Sequence, residues 1–206
     1  MARVLVACEY SGRVRQAFRD LGHDAWSCDL YEPAEDGSPW HREGDAERIA
    51  YEGGWDLMIC HPPCTYLTNS GERWMKGNPE RQAARKEAVR FAVALMGAPI
   101  PMIAMENPIG HLSTAYRKPD QIIQPHQFGH PETKSTCLWL KGLPKLAPTD
   151  DVREAMSRLS LAERSRIHWM PPGPERWKER SRTYEGIARA MAAQWGPLLN
   201  DLQEAA

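Results

Sequence analysis

The chain has 206 residues, with 26 lysines and arginines against 27 aspartates and glutamates, a formal charge of −1. That balance excludes a generally basic nucleic-acid coat and leaves only a local basic face. Apolar and charged fractions of 42% and 26% are those of a globular domain rather than a disordered or fibrous chain. The length fits one domain with a substantial core. The start, MARVLVACEY, has neither the apolar length nor the cleavage site of a signal peptide, and no apolar run is long enough to span a membrane. Five cysteines without regular spacing read as reduced thiols of a cytosolic protein.

The pattern RVLVACEYSG predicts a short buried strand ending in a Ser-Gly turn. In RVRQAFRDLG, residues Val14, Phe18 and Leu21 recur at helical spacing and Gly22 closes the helix. HDAWSCDLYEP then reads as a second strand ending at acidic residues, and WDLMIC as a third, buried one. NPERQAARKEAVRFAVALMG is an amphipathic helix with Pro79 near its start and Gly97 at its end. IPMIAMENP and TKSTCLWLKGLP read as further strands. DDVREAMSRLSLAERSRI predicts one charged helix, followed by the proline- and tryptophan-rich HWMPPGPERWKER. A last helix covers YEGIARAMAAQWGPLL. Strands alternating with helices predict a doubly wound, mostly parallel α/β sheet. In such sheets ligands bind beyond the carboxyl ends of the strands.

Two of those ends carry chemistry. The apolar run Leu57 to Cys60 stops at His61, Pro62, Pro63 and Cys64. Two prolines fix two φ angles and stiffen the loop that presents the thiol, which becomes a nucleophile where its surroundings stabilise the thiolate. Most isolated cysteines are only small buried hydrophobes, but this one stands in a polar loop at the binding edge. About forty residues later, AMENPIG ends the next strand with Glu106 and Asn107. These residues are common turn caps before proline. Alternatively, burial would raise the pKa of Glu106 and let it protonate or hydrogen-bond a substrate.

A Pro-Cys loop and a Glu-Asn turn separated by one helix resemble the DNA cytosine-5 methyltransferases, in particular short members of the type carried by phages and mobile elements. The resemblance covers residues 3–143 and 181–196. It implies the fold of the S-adenosylmethionine-dependent methyltransferases, a bacterial cytoplasmic setting, a DNA substrate and no membrane. It makes Cys64 the nucleophile and Glu106 the acid with Asn107 beside it. Lys134, in ETKSTCLWL, is the candidate for the family's positive charge near the base, because the usual basic Gln-x-Arg-x-Arg strand is absent. S-adenosylmethionine is implied at Glu9, Tyr10, Ser11 and Gly12 in the first loop, at Asp29 and Leu30 (ribose), and at Asp45 in GDAERI (adenine). His61, Pro62, Tyr184 and Glu185 would complete that pocket. Pro63, Thr65, Tyr66, Arg176 and Lys178 are implied on the substrate side. The first loop departs from the family by having a single glycine, Gly12. The segment 144–180, where longer relatives carry target recognition, is short. The chain therefore divides into a core, 1–143, a small variable segment, 144–180, and a returning helix, 181–206.

Three rivals were weighed on the same residues. An amino-methyltransferase would carry Asp/Asn-Pro-Pro-aromatic where this chain has HPPC, with Tyr66 two residues beyond the cysteine. A zinc site has His61, Cys60, Cys64, His126, His130 and Cys137 to draw on, but no regular metal spacing. Leu67 stands where a zinc deaminase has its second cysteine. A nucleic-acid-binding module without chemistry would use Arg176, Lys178, Arg180 and Arg182, whose bland reading is a solvated surface loop. Retention of both Cys64 and Glu106 favours the enzyme.

Overall fold

The computed structural model describes residues 1–30, 35–174 and 176–204, with side chains as far as Leu199. Among the described residues seven strands form one sheet: β1 (Arg3–Ala7), β2 (Asp24–Asp29), β3 (His41–Glu43), β4 (Leu57–Cys60), β5 (Met102–Pro108), β6 (Gln121–Ile123) and β7 (Thr136–Lys141). The helices are α1 (Arg13–Asp20), α2 (Ala46–Tyr51), α3 (Pro79–Gly97), α4 (Leu112–Ala115), α5 (Arg153–Ser157), α6 (Leu161–Arg164), α7 (Arg166–Trp169), α8 (Arg176–Ser181) and α9 (Glu185–Glu204). The strand order is β3-β2-β1-β4-β5-β7-β6. Only β7 runs antiparallel to its neighbours, β5 and β6. This is the doubly wound, mostly parallel α/β sheet that the sequence pattern predicts. The winding reverses between β1 and β4, so a crevice opens beyond their carboxyl ends.

Period-two alternation divides the core between two faces. Val4, Val6, Leu57, Ile59 and Ala104 pack with α1 and α9. Leu5, Ala7, Met58, Cys60, Ile103 and Met105 pack on the other face with α2 and α3. Because both faces are covered, the central strands are apolar throughout. Two buried tryptophans hang on backbone carbonyls: Trp195 Nε1 donates to Pro144 O (3.1 Å) and Trp139 Nε1 to Arg117 O (2.7 Å).

The sequence expectations hold for β1, α1, β4, α3, β5, β7 and α9. The second strand ends at Asp29, and the Tyr31–Pro33 part of its predicted span lies outside the described residues. The single charged helix expected over 150–167 is corrected to three short ones, α5, α6 and α7. Its pattern buries little more than Met156 and Ile167, so no continuous apolar stripe holds one axis. Ser160 starts a new helix within it: its hydroxyl accepts the Glu163 N–H while the Glu163 carboxylate accepts the Ser160 N–H. β3, α2 and β6 were not distinguished in the sequence. Among the described residues no helix is long and apolar enough to cross a membrane.

The start of α9 is clamped against the loop before β7. His130 Nε2 accepts the Gly186 N–H (2.9 Å), and Arg13 Nη1 donates to Thr183 O (3.0 Å). A Cβ on Gly186 would sit 1.8 Å from Phe128 O and 3.1 Å from His130 Nε2. Gly186→Ala should therefore cost about 1–3 kcal/mol of stability through overpacking, read by denaturant unfolding. An unchanged midpoint would mean that the clamp gives way freely.

Candidate active site

β4 and β5 are parallel neighbours in register, Cys60 beside Met105, so the residues that follow them lie side by side, the first just past the end of β4 and the second still within β5, paired with Leu138 of β7. Those residues are His61 and Glu106. His61 Nδ1 lies 2.7 Å from Glu106 Oε2, and their side chains are only 11% and 18% exposed. One residue on, Asn107 Nδ2 donates to Pro62 O (2.7 Å) and is buried. The two prolines leave Pro62 with an acceptor and no donor, and Asn107 supplies what it lacks. Beyond them, Leu67 and Thr68 N–H both return to Cys64 O (2.9 and 3.1 Å), and His111 N–H donates to Leu67 O (2.7 Å). The Pro-Pro-Cys loop is thus bonded to the Glu-Asn turn at several points along its length.

Charge in this cluster is balanced by neighbours. Burial alone would raise Glu106, but the hydrogen bond and charge of His61, then Lys134 and the Thr136 hydroxyl, outweigh it and hold Glu106 at about 2. This corrects the sequence expectation of a raised Glu106, because the expectation took in burial without the cation beside it. For His61, burial favours the neutral ring, yet the Glu106 bond and charge and the Glu9 charge overcome it and raise the pKa. The raised pKa and the 2.7 Å contact favour a protonated Nδ1 that donates to Glu106, and the other ring nitrogen, Nε2, is buried without a partner. Cys64 is half-buried, and its pKa is raised by burial and then by the Glu106 charge, against Lys134 and Arg180. In the free protein Cys64 is a thiol.

The first loop is built differently from a glycine-rich one. Glu9 is buried and turned onto the start of α1, where Oε1 accepts the Val14 N–H (2.7 Å) and Oε2 the Arg15 N–H (3.2 Å). Burial raises its pKa despite the His61 charge and those two N–H groups. Ser11 is buried beside it, and its hydroxyl lies 3.5 Å from Glu9 Oε1. Gly12 has φ +68°, and a Cβ there would meet the Arg15 guanidinium at 2.5 Å. Tyr10 leans on Trp177 of α8, ring centroids 5.4 Å apart, with Lys178 Nζ 5.9 Å above it. Arg176 and Lys178 thus lie on the helix that reaches the first loop, while Arg180 is the α8 cation whose charge reaches Cys64. Lys134 Nζ donates to Arg180 O (3.0 Å) and ties α8 to the edge of β7.

The other expected residues are spread around this centre. Asp29 closes β2 and Leu30 follows it 69% exposed, an apolar side chain in solvent beside a carboxylate. Asp45 is exposed and caps α2 by accepting the Glu47 N–H (2.8 Å). Pro63 and Thr65 are exposed. Tyr66 carries the Arg81 guanidinium 5.2 Å from its ring, and Arg85 Nε donates to Tyr66 O (3.0 Å). The Tyr184 hydroxyl donates to Glu132 (2.9 Å), and Glu185 is exposed and paired with Arg189. Glu106, Lys134, Thr136, Thr183, Tyr184, Ile187 and Met191 line a cavity of only about 10 Å³, close to the least that holds one water. Sequence reasoning missed the His61–Glu106 pair and the capping role of Glu9. The signal was present: a histidine and two glutamates at the ends of β1, β4 and β5.

No protein-family model matches the chain, and no curated protein matches it. Among solved structures it is similar to a protein described as a candidate DNA modification methyltransferase encoded within an E. coli prophage, at 15% identity and a TM-score of 0.46. That match covers 78% of this chain and 56% of the other, so the chain spans little more than half of that protein.

Two outcomes follow from this geometry. Asn107→Asp removes the donor to Pro62 and adds a carboxylate beside Glu106, so it should destabilise more than Asn107→Ala, itself expected to cost about 1–3 kcal/mol. Denaturant unfolding at neutral pH ranks the two. The ion pair also has a pH signature. The depressed pKa of Glu106 makes its contribution full above the ordinary 4.5 and lost as pH falls towards about 2. The raised pKa of His61 makes its contribution full below the ordinary 6.5 and lost as pH rises through the folded value. The stability difference between wild type and Glu106→Gln should be largest between pH 4.5 and 6.5 and shrink on both sides.

Proposed function

We propose that the chain is a DNA cytosine-5 methyltransferase using S-adenosylmethionine. The observation that carries this reading is the joining of the two loops: His61 to Glu106 at 2.7 Å and Asn107 to Pro62 at 2.7 Å. They bring a rigidly presented thiol and a carboxylate that senses its charge to one crevice of the sheet. A thiol nucleophile next to a proton-bearing pair suits addition to an electron-poor aromatic ring.

Cytosine C5 is a poor nucleophile. The Cys64 sulfur gives its proton to solvent, bonds to C6 and breaks the aromaticity, while Glu106, taking the proton of its contact with His61 as the base docks, hydrogen-bonds N3 and stabilises the electrons pushed into the ring. C5 then has enamine character. S-adenosylmethionine, when bound, supplies an electrophilic methyl group. Once C5 carries the methyl group, loss of the C5 proton to solvent re-forms the double bond and expels the Cys64 thiolate. The strand-end groups suit the adenosine part of that cofactor: Asp29, with Leu30 beside it, for the ribose and Asp45 for the adenine. A duplex substrate must present its cytosine outside the stack, at an unstacking cost of a few kcal/mol.

Amino-group methylation needs a hydrogen-bond acceptor at position 61 to draw on the exocyclic amine. His61, whose Nδ1 is already engaged by Glu106 at 2.7 Å, is a poor one.

The test is trapping. An oligonucleotide containing 5-fluorocytosine cannot lose a proton from C5, so with S-adenosylmethionine it should leave a covalent adduct on Cys64, visible as an intact-mass increase. Cys64→Ala should give none. Glu106→Gln should slow transfer to ordinary cytosine by about 10²–10⁴-fold. Methyl transfer that survives Cys64→Ala would refute the proposal.

A further inference from the structure

We propose that His61 is a positioning residue that shares one proton with Glu106, and that the place of this proton sets the reactivity of Cys64. The inference deepens the cytosine reading above and rests on it for the identity of the base. Its geometric basis is independent of that reading. A histidine occupies the first position after β4, its Nδ1 is bonded to Glu106, and its Nε2 is buried with no partner. A ring whose second nitrogen is left unbonded pays for burial without a compensating contact. Its bond to Glu106 is then the interaction that fixes it.

Groups from each packed element set the balance. Glu9 faces His61 from the loop after β1, Glu106 from β5 and Lys134 from the segment before β7. Cys64 is faced by Glu106, Lys134 and, from α8, Arg180. At rest the proton sits on His61, so Glu106 is an anion and opposes ionisation of Cys64. When a base brings N3 against Glu106, the Nδ1–H bond of His61 breaks and an O–H bond forms on Glu106 Oε2. The pair stays neutral overall and no electrons leave it. Glu106 then donates to N3, the repulsion on the sulfur is relieved, and the Cys64 proton passes to solvent as the S–C6 bond forms. The nucleophile is inert until a base that accepts at this position has arrived. Thymine, with N3–H as a donor, does not complete the exchange.

Two measurements on the free protein test this without substrate. Nitrogen-15 NMR should show His61 titrating above the ordinary histidine range in wild type and moving down in Glu106→Gln. Peptide-resolved iodoacetamide alkylation at pH 7 should be several-fold faster at Cys64 in Glu106→Gln, while Cys28, Cys60 and Cys137 stay buried and slow. His61 titrating alike in both proteins, or Cys64 alkylation unchanged or slower in Glu106→Gln, would overturn the shared proton. With a cytosine-containing oligonucleotide, Nδ1 should lose its proton, and with the thymine counterpart it should keep it. Methylation occurring while Nδ1 stays protonated in the cytosine complex would overturn the shared proton and leave the cytosine reading intact. Absence of 5-methylcytosine, with the substrate-free titration and alkylation as expected, would overturn the cytosine reading and support the shared proton.

Discussion

A charge buried in a protein persists only where an opposite charge and hydrogen bonds replace the water it has lost. At the carboxyl ends of β4 and β5 that condition is met first by the bond between His61 and Glu106, with Lys134 and Thr136 beside the carboxylate and Glu9 beside the ring. Remove either partner and the other is left ionised without compensation, or changes its protonation. Much of the site's geometry follows from this contact. Glu106 keeps its place at the end of β5, Asn107 is then aligned with Pro62, and the loop carrying Cys64 is drawn over both.

The sheet makes the contact available. Parallel pairing of β4 with β5 puts successive residues level, so a histidine after one strand meets a glutamate in the other without a long side chain reaching across. The winding reversal between β1 and β4 adds Glu9 on the other side. Glu9 is committed to the N-terminal amides of α1, yet its charge acts on His61. A first loop with one glycine is therefore sufficient to hold α1, because a carboxylate does the capping that glycine-rich backbone amides leave open elsewhere. The far wall comes from the end of the chain. α8 rests Trp177 on Tyr10, its carbonyl at Arg180 takes the Lys134 ammonium, and α9 is fixed by His130 and Arg13. The crevice is bounded by residues distant in sequence: the Lys134–Arg180 bond is exposed, and the bonds at Thr183 and Gly186 are part-buried.

Much of this was legible in the residues. Alternation and helix periodicity fixed the order of the main strands and helices, since each buries a face that its pattern declares. The loop motifs located Cys64, Glu106 and Asn107 at one edge, because the sheet type dictates where strand ends lie. Short elements were not legible: β3 and β6 have three residues each, too few for a period to register. The protonation states were not legible either. They depend on pairs such as His61 with Glu106 that are 45 residues apart, and reading Glu106 by burial alone gave the wrong direction. Arg180 in place of Arg176 or Lys178 as the cation near Cys64 likewise depends on which side of a short helix faces inward.

The central claim is that the Cys64 thiol performs methyl transfer to carbon. Nucleoside mass spectrometry of DNA from a methylation-deficient host tests it most directly, comparing wild type with Cys64→Ala. The account predicts 5-methyldeoxycytidine in the first sample and none in the second. An N-methylated base present in both would contradict it, leaving Cys64 a structural residue of the loop.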